Sequence, residues 1–112
     1  MIEQILIDYL EDSLEVSAYA EQPETLEGKY ILVEKTGGGS RYGIGNATMA
    51  VQSYADSMLD AAELCEEVKE VMEHLTDREE ISACYLQSSY NFTDTSQKKY
   101  RYQAVYEITY FE

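Results

Sequence analysis

Tryptophan is missing from this 112-residue chain, proline and histidine occur once each, and only eight lysines and arginines stand against 22 acidic residues. Each shortage excludes something. A net charge of −14 leaves no basic cluster of the kind that nonspecific binding to nucleic acid or to an anionic membrane requires. The single histidine, His74, offers no triad to build, and near the end of an acidic helix it reads as a C-terminal cap, where a cation is favoured by the helix dipole. Two cysteines, Cys65 and Cys84, fit small buried hydrophobes in a reducing compartment better than a disulfide framework. No apolar run approaches the roughly 18 residues of a membrane span. The opening Met-Ile-Glu-Gln has no signal-like character, so the expected location is cytoplasmic. The length suits one domain over residues 1–112.

The strongest positive feature is the stretch from Ser57 to Leu75. Met58, Ala61, Cys65, Val68, Met72 and Leu75 recur at spacings of three and four, with Leu64 and Val71 widening the stripe, which predicts an amphipathic helix. Ser57 followed by Asp60 reads as a capping box. Asp60, Glu63, Glu66, Glu67, Glu70 and Glu73 occupy the opposite face against one base, Lys69. Residues 2–12 form a second, shorter amphipathic pattern through Ile2, Ile5, Leu6, Tyr9 and Leu10. Leu14, Val16 and Ala18 then alternate with polar neighbours as a short strand, before a loop from Ala20 to Gly28 that holds Pro23.

Four longer runs read as strands: 30–36, 47–54, 81–90 and 100–111. The first two are joined by the glycine-rich segment 37–45, expected as a long flexible tip, and the last two by the polar turn residues from Asn91 to Lys99. In the last strand Tyr100, Tyr102, Ala104, Tyr106, Ile108 and Tyr110 share one face. The predicted fold is α+β, in the order α-β-β-β-α-β-β. It has a mainly antiparallel four-stranded sheet, a short extra N-terminal strand, and both helices on one face.

Charge divides along these elements. Residues 1–28 and 56–80 each carry −8, residues 29–55 carry +2, and residues 81–112 are neutral. The helices are acidic and the strands mild, which favours heterologous contact between unlike surfaces of neighbouring copies, although acids also simply solubilise helices. Gly37 to Gly39 leads from strand to strand and so lacks the helix N-terminus that a phosphate loop needs. The carboxylates sit mostly at solvated helix positions, so no paired acid–base site is expected, and no metal or cofactor constellation emerges. Asn46-Ala-Thr48 and Asn91-Phe-Thr93 match the glycosylation sequon, which carries no meaning without secretion. Eleven tyrosines point to surfaces that are apolar yet wet, part core-facing strand and part interface.

Taken in order, several segments carry a resemblance. They are Val16 to Pro23 (VSAYAEQP), Tyr30 to Gly39 (YILVEKTGGG), Thr48 to Tyr54 (TMAVQSY), the Ala61-Ala62-Glu63-Leu64 helix, Tyr90-Asn91, and Arg101-Tyr102-Gln103-Ala104. Together they resemble the tail terminator proteins of long-tailed bacteriophages and prophages, also called tail completion or tail-to-head joining proteins. The resemblance implies a non-enzymatic α+β subunit that forms a hexameric ring, caps the completed tail tube, stops its polymerisation and meets the head connector. The implied partners are copies of itself, the tail tube protein and the neck. DNA would only pass through the lumen, with no sequence-specific binding and no membrane. Assembly is expected in the host cytoplasm and residence in the virion tail. Alternatives are another neck component, or an acidic DNA mimic that occupies a DNA-binding protein. The candidate interface residues are Lys35, Thr36, Gly37, Gly38, Gly39, Arg41, Tyr42, Lys98, Lys99 and Arg101.

Overall fold

The apolar stripe does form a helix. In a computed structural model, which describes residues 1–22, 28–93 and 99–112, the elements are α1 (Ile2–Leu14), β1 (Ala18–Tyr19), β2 (Tyr30–Arg41), β3 (Ile44–Ala55), α2 (Met58–Met72), a 3-10 turn (Leu75–Asp77), β4 (Ile81–Asn91) and β5 (Tyr100–Phe111). Ser57 caps α2, its hydroxyl accepting from the Asp60 backbone N–H at 3.1 Å. Ala61, Leu64, Cys65, Val68 and Met72 are buried on one side, and the larger of these contribute roughly 1.5–3 kcal/mol each. The helix stops at Met72, three residues short of the expected Leu75, because the chain tightens there into the 3-10 turn that buries Leu75.

The first helix is longer than its pattern predicts. It runs through Leu14, which is helical and not part of a strand, and closes on Glu15 in the left-handed conformation, φ 55°. Ile7 joins Ile2, Leu6 and Leu10 in the core. Only two residues of the expected N-terminal strand are extended, and β1 pairs with Ile31 and Leu32 in parallel. The Glu11 carboxylate accepts from the Ala18 N–H at 3.1 Å and helps hold that arm.

The sheet has five strands in the order β1-β2-β3-β5-β4, antiparallel except for β1. Both helices cover one face, where Ile31, Val33, Met49, Val51, Tyr106 and Ile108 meet the helix residues in a single cluster. Of the expected β5 face, Tyr102, Ala104, Tyr106, Ile108 and Tyr110 pack into it, whereas Tyr100, half-buried at the start of the strand, does not. A smaller cluster of Tyr30, Leu32 and Tyr54, with Tyr19 beside it, lies on the opposite face. The fold class is therefore the α+β arrangement read from the sequence.

One expectation is overturned. Residues 37–45 are not a long flexible tip, because Gly37, Gly38, Gly39, Ser40 and Arg41 pair with Thr48, Ala47, Asn46, Gly45 and Ile44 in turn. Only Tyr42 and Gly43 form the connection, both at positive φ, 54° and 77°. Two such residues in succession make the type I′ turn, whose twist matches the hairpin. A bulge between Lys35 and Gly37 absorbs the change of register. At Gly38 a Cβ would run into the Asn46 carbonyl, so glycine there permits the strands' close approach. The glycines thus carry the hairpin beyond the buried half of β2, so that every residue from Glu34 to Arg41 is exposed.

Candidate functional site

The sheet's register divides the candidate interface residues into two groups. Lys35, Thr36, Gly37, Gly38, Gly39, Arg41 and Tyr42 lie along the outer half of β2 and its turn. Lys99 and Arg101 sit where β5 begins, next to Tyr54 in the ladder. Along β3, ten residues separate the level of Arg41 from that of Arg101 and five separate that of Lys35 from it, roughly 33 and 16 Å at the usual rise. Lys98 falls outside the described residues, as do Pro23 with residues 24–27 and residues 94–97 of the expected turn.

Arg101 is held in place. Its Nε donates to the Phe92 carbonyl at 2.6 Å and an NH group donates to the Tyr54 hydroxyl at 2.7 Å. Its guanidinium also lies 4.3 Å from the centre of the Phe92 ring. Tyr54 stacks on Tyr30 with centroids 4.5 Å apart and planes 9° from parallel. Its hydroxyl donates to Gln52 Oε1 at 3.0 Å, and Gln52 Nε2 donates to Gln103 Oε1 at 2.9 Å. Gln22 reaches over from beyond β1 to donate to the Tyr30 hydroxyl at 3.0 Å, a bond that partly offsets the rise in the Tyr30 pKa caused by burial. This polar and aromatic network fills the helix-free face with satisfied groups. Alternation along β5 puts Gln103 on the face opposite Ala104 and Tyr106, and nothing in a single strand's sequence shows that Gln52 of β3 lies across from it.

The opposite end of the sheet is built to project. Tyr42 is 89% exposed at the turn, with the Arg41 guanidinium 5.1 Å above its ring. Lys35 lies further back, beside the start of α1 and the end of β5. Thr36 is turned to the backbone, its hydroxyl donating to the Thr48 carbonyl at 3.3 Å.

A cleft of about 440 Å³ opens between α2 and β4. Met72, Cys84, Leu86 and Tyr106 form its apolar lining, and Glu66, Glu70 and Glu73 with Lys69 form its helical wall. Tyr106 is 2% exposed, and its buried hydroxyl has no hydrogen-bond partner. Burial first, then the nearby thiols and the carboxylates of Glu66 and Glu73, push that phenol well above its ordinary range. Burial raises Cys84 to about 11, so its thiol is protonated and weakly reactive at neutral pH.

No protein-family model and no curated protein matches this chain. The tail-terminator resemblance therefore rests on the short segments that carry it. Among the described residues no group of three or more His, Cys, Asp or Glu side chains is placed to hold a metal ion, and no helix is long and apolar enough to cross a membrane. His74 is exposed just past the Glu73 cap of α2, where its backbone N–H donates to the Val71 carbonyl at 3.1 Å, and its Nδ1 lies 3.9 Å from Asp77.

Proposed function

We propose that this chain is a structural subunit of a phage tail that assembles as a ring, caps the finished tail tube and joins it to the head connector. The observation that carries this reading is the separation of unlike surfaces on one subunit. Glu63, Glu66, Glu67, Glu70 and Glu73 are exposed along α2, while the projecting hairpin presents Arg41 at the far end of the sheet from Arg101. Surfaces of opposite character at different places on one chain favour head-to-tail contact, which closes into a ring when the rotation permits. The segment-by-segment resemblance supports six copies. The same resemblance puts the protein among non-catalytic virion components, assembled in the host cytoplasm.

Charge makes the reading testable. Each copy brings −14, so bulk repulsion opposes assembly at low ionic strength, whereas exposed ion pairs each contribute only about 0–1 kcal/mol. Light scattering across a salt series should show association rising with moderate salt or a divalent cation. A strict monomer at every salt and protein concentration, even with the tail tube protein present, refutes the ring. The acidic face of α2 favours a second reading, a DNA mimic. That protein would stay a monomer or dimer and would bind a basic DNA-binding protein in competition with DNA.

A further inference from the structure

We propose that the cleft between α2 and β4 is a socket for the Arg41–Tyr42 hairpin tip of a second copy of this chain. The proposal rests on the self-association argued above, but not on ring closure or on six copies. Three features of the cleft define what it takes. Its lining of Met72, Cys84, Leu86 and Tyr106 accepts an apolar or aromatic group. Its wall accepts a cation, because among the described residues only Glu66 of its three glutamates has a basic partner, Lys69 at 3.1 Å. The unpartnered Tyr106 hydroxyl, buried with the ring that lines the cleft, is a polar group with an unmet need, and such groups are costly unless something bonds them.

The tip supplies both chemistries side by side. Arg41 carries the cation and Tyr42 the aromatic ring, the two already in contact. Tyrosine at φ 54° is an unusual occupant of a turn position that favours Asn or Gly. The chain therefore tolerates local strain to display that ring to solvent, which is the pattern expected where a side chain has work to do away from its own core. The tip cannot reach its own cleft. Arg41 pairs with Ile44, Ile44 with Phe111, and Tyr106 stands five residues further along β5. With β3 and β5 intervening before β4, the gap is on the order of 20 Å.

The approach is also open. The cleft lies at the β4 edge of the sheet, and β4 contains no charged residue and no proline among its 11 residues. Bulges between Ile81 and Ala83 and between Leu86 and Ser88 interrupt that edge, so the regular stretch from Ala83 to Leu86 is the part open to another strand. Beyond its two-residue contact with β1, the outer edge of β2 has no strand partner among the described residues. A neighbour's hairpin seated in the cleft brings that second open edge alongside the first. The contact is heterologous, so every copy uses one tip and one socket.

Engineered disulfide trapping tests the contact in the full-length chain. Ser40→Cys, at an exposed position beside the tip, keeps the Arg41–Tyr42 pair intact, and the native Cys84 waits in the cleft. Oxidation at mildly alkaline pH should give a ladder of covalent multimers on a non-reducing gel, since a head-to-tail bond extends beyond two copies. Cys84→Ser should abolish the ladder. In the second arm, read at a salt concentration that screens the bulk repulsion, Arg41→Glu alone and Glu70→Lys with Glu73→Lys alone should each weaken association severalfold, and the three together should restore it. Dimers that survive Cys84→Ser, absence of crosslinks while the wild type associates, or assembly indifferent to both charge changes overturn the socket and leave the ring standing. Absence of any association removes both. A basic segment of a different protein as the true occupant gives the second of these outcomes.

Discussion

Replacing Tyr106 with phenylalanine should stabilise the isolated subunit. The ring is buried against α2 and keeps its packing in the variant, while the hydroxyl that is lost has no partner to lose. An unsatisfied buried hydroxyl costs about 1–3 kcal/mol, and its removal without a change of shape returns part of that, on the order of 1 kcal/mol. For a domain of this size that raises the melting temperature by about 4 °C. Urea denaturation at low protein concentration and neutral pH is the assay, with the shift read at constant slope. A loss of about 1 kcal/mol or more would show that the hydroxyl is bonded, and the reasoning would fall. pH supplies a second readout. The Tyr106 phenol and the Cys84 thiol both titrate higher in the folded chain than in the unfolded one. Neither affects stability while both states are protonated. As pH rises past about 9 the unfolded thiol ionises first, and because burial raises Cys84 from 9.0 to about 11 in the folded chain, stability falls across that window. Tyr106 adds a further loss above pH of about 10. Tyr106→Phe should flatten the upper part of that decline and Cys84→Ala the lower part. If Arg41 of a neighbour bonds the hydroxyl, Tyr106→Phe stabilises the monomer yet weakens assembly.

Other expectations test the fold. Val68→Asp places a carboxylate where Val68 is fully buried and should cost about 3–5 kcal/mol; near-wild-type thermal stability would count against the packing of α2. Amides from Gly37 to Arg41 and from Ile44 to Thr48 that bond across the hairpin should exchange slowly, and random-coil rates there would contradict the observed pairing. Gln52→Leu or Gln103→Leu alone strands its partner's amide and should cost about 1–3 kcal/mol, whereas the double variant recovers most of it. Chemical denaturation of the four proteins yields the coupling, and a value near zero would deny the buried bond.

Local patterns were enough to place most of the scaffold. The period of α2, the Ser57 cap and the alternation of β5 are dictated by neighbours within one turn or two residues, so Leu64, Val68, Tyr106 and Ile108 declare their buried faces from the sequence alone. Net charge and its division between helices and strands are likewise properties of composition. The tertiary structure decided whatever depends on a partner strand. Gly37 to Gly39 lack strand propensity, yet they are strand because Asn46 to Thr48 lie opposite them, and glycine is what permits the close approach at Gly38. Gln52 and Gln103 meet only because β3 and β5 come together. Arg41 and Arg101 look like one basic group among loops, until a twelve-residue strand pair carries them to opposite ends. The cleft between α2 and β4 joins residues whose numbers run from 66 to 106, and no local period can announce a surface made by elements that meet only when the chain has folded.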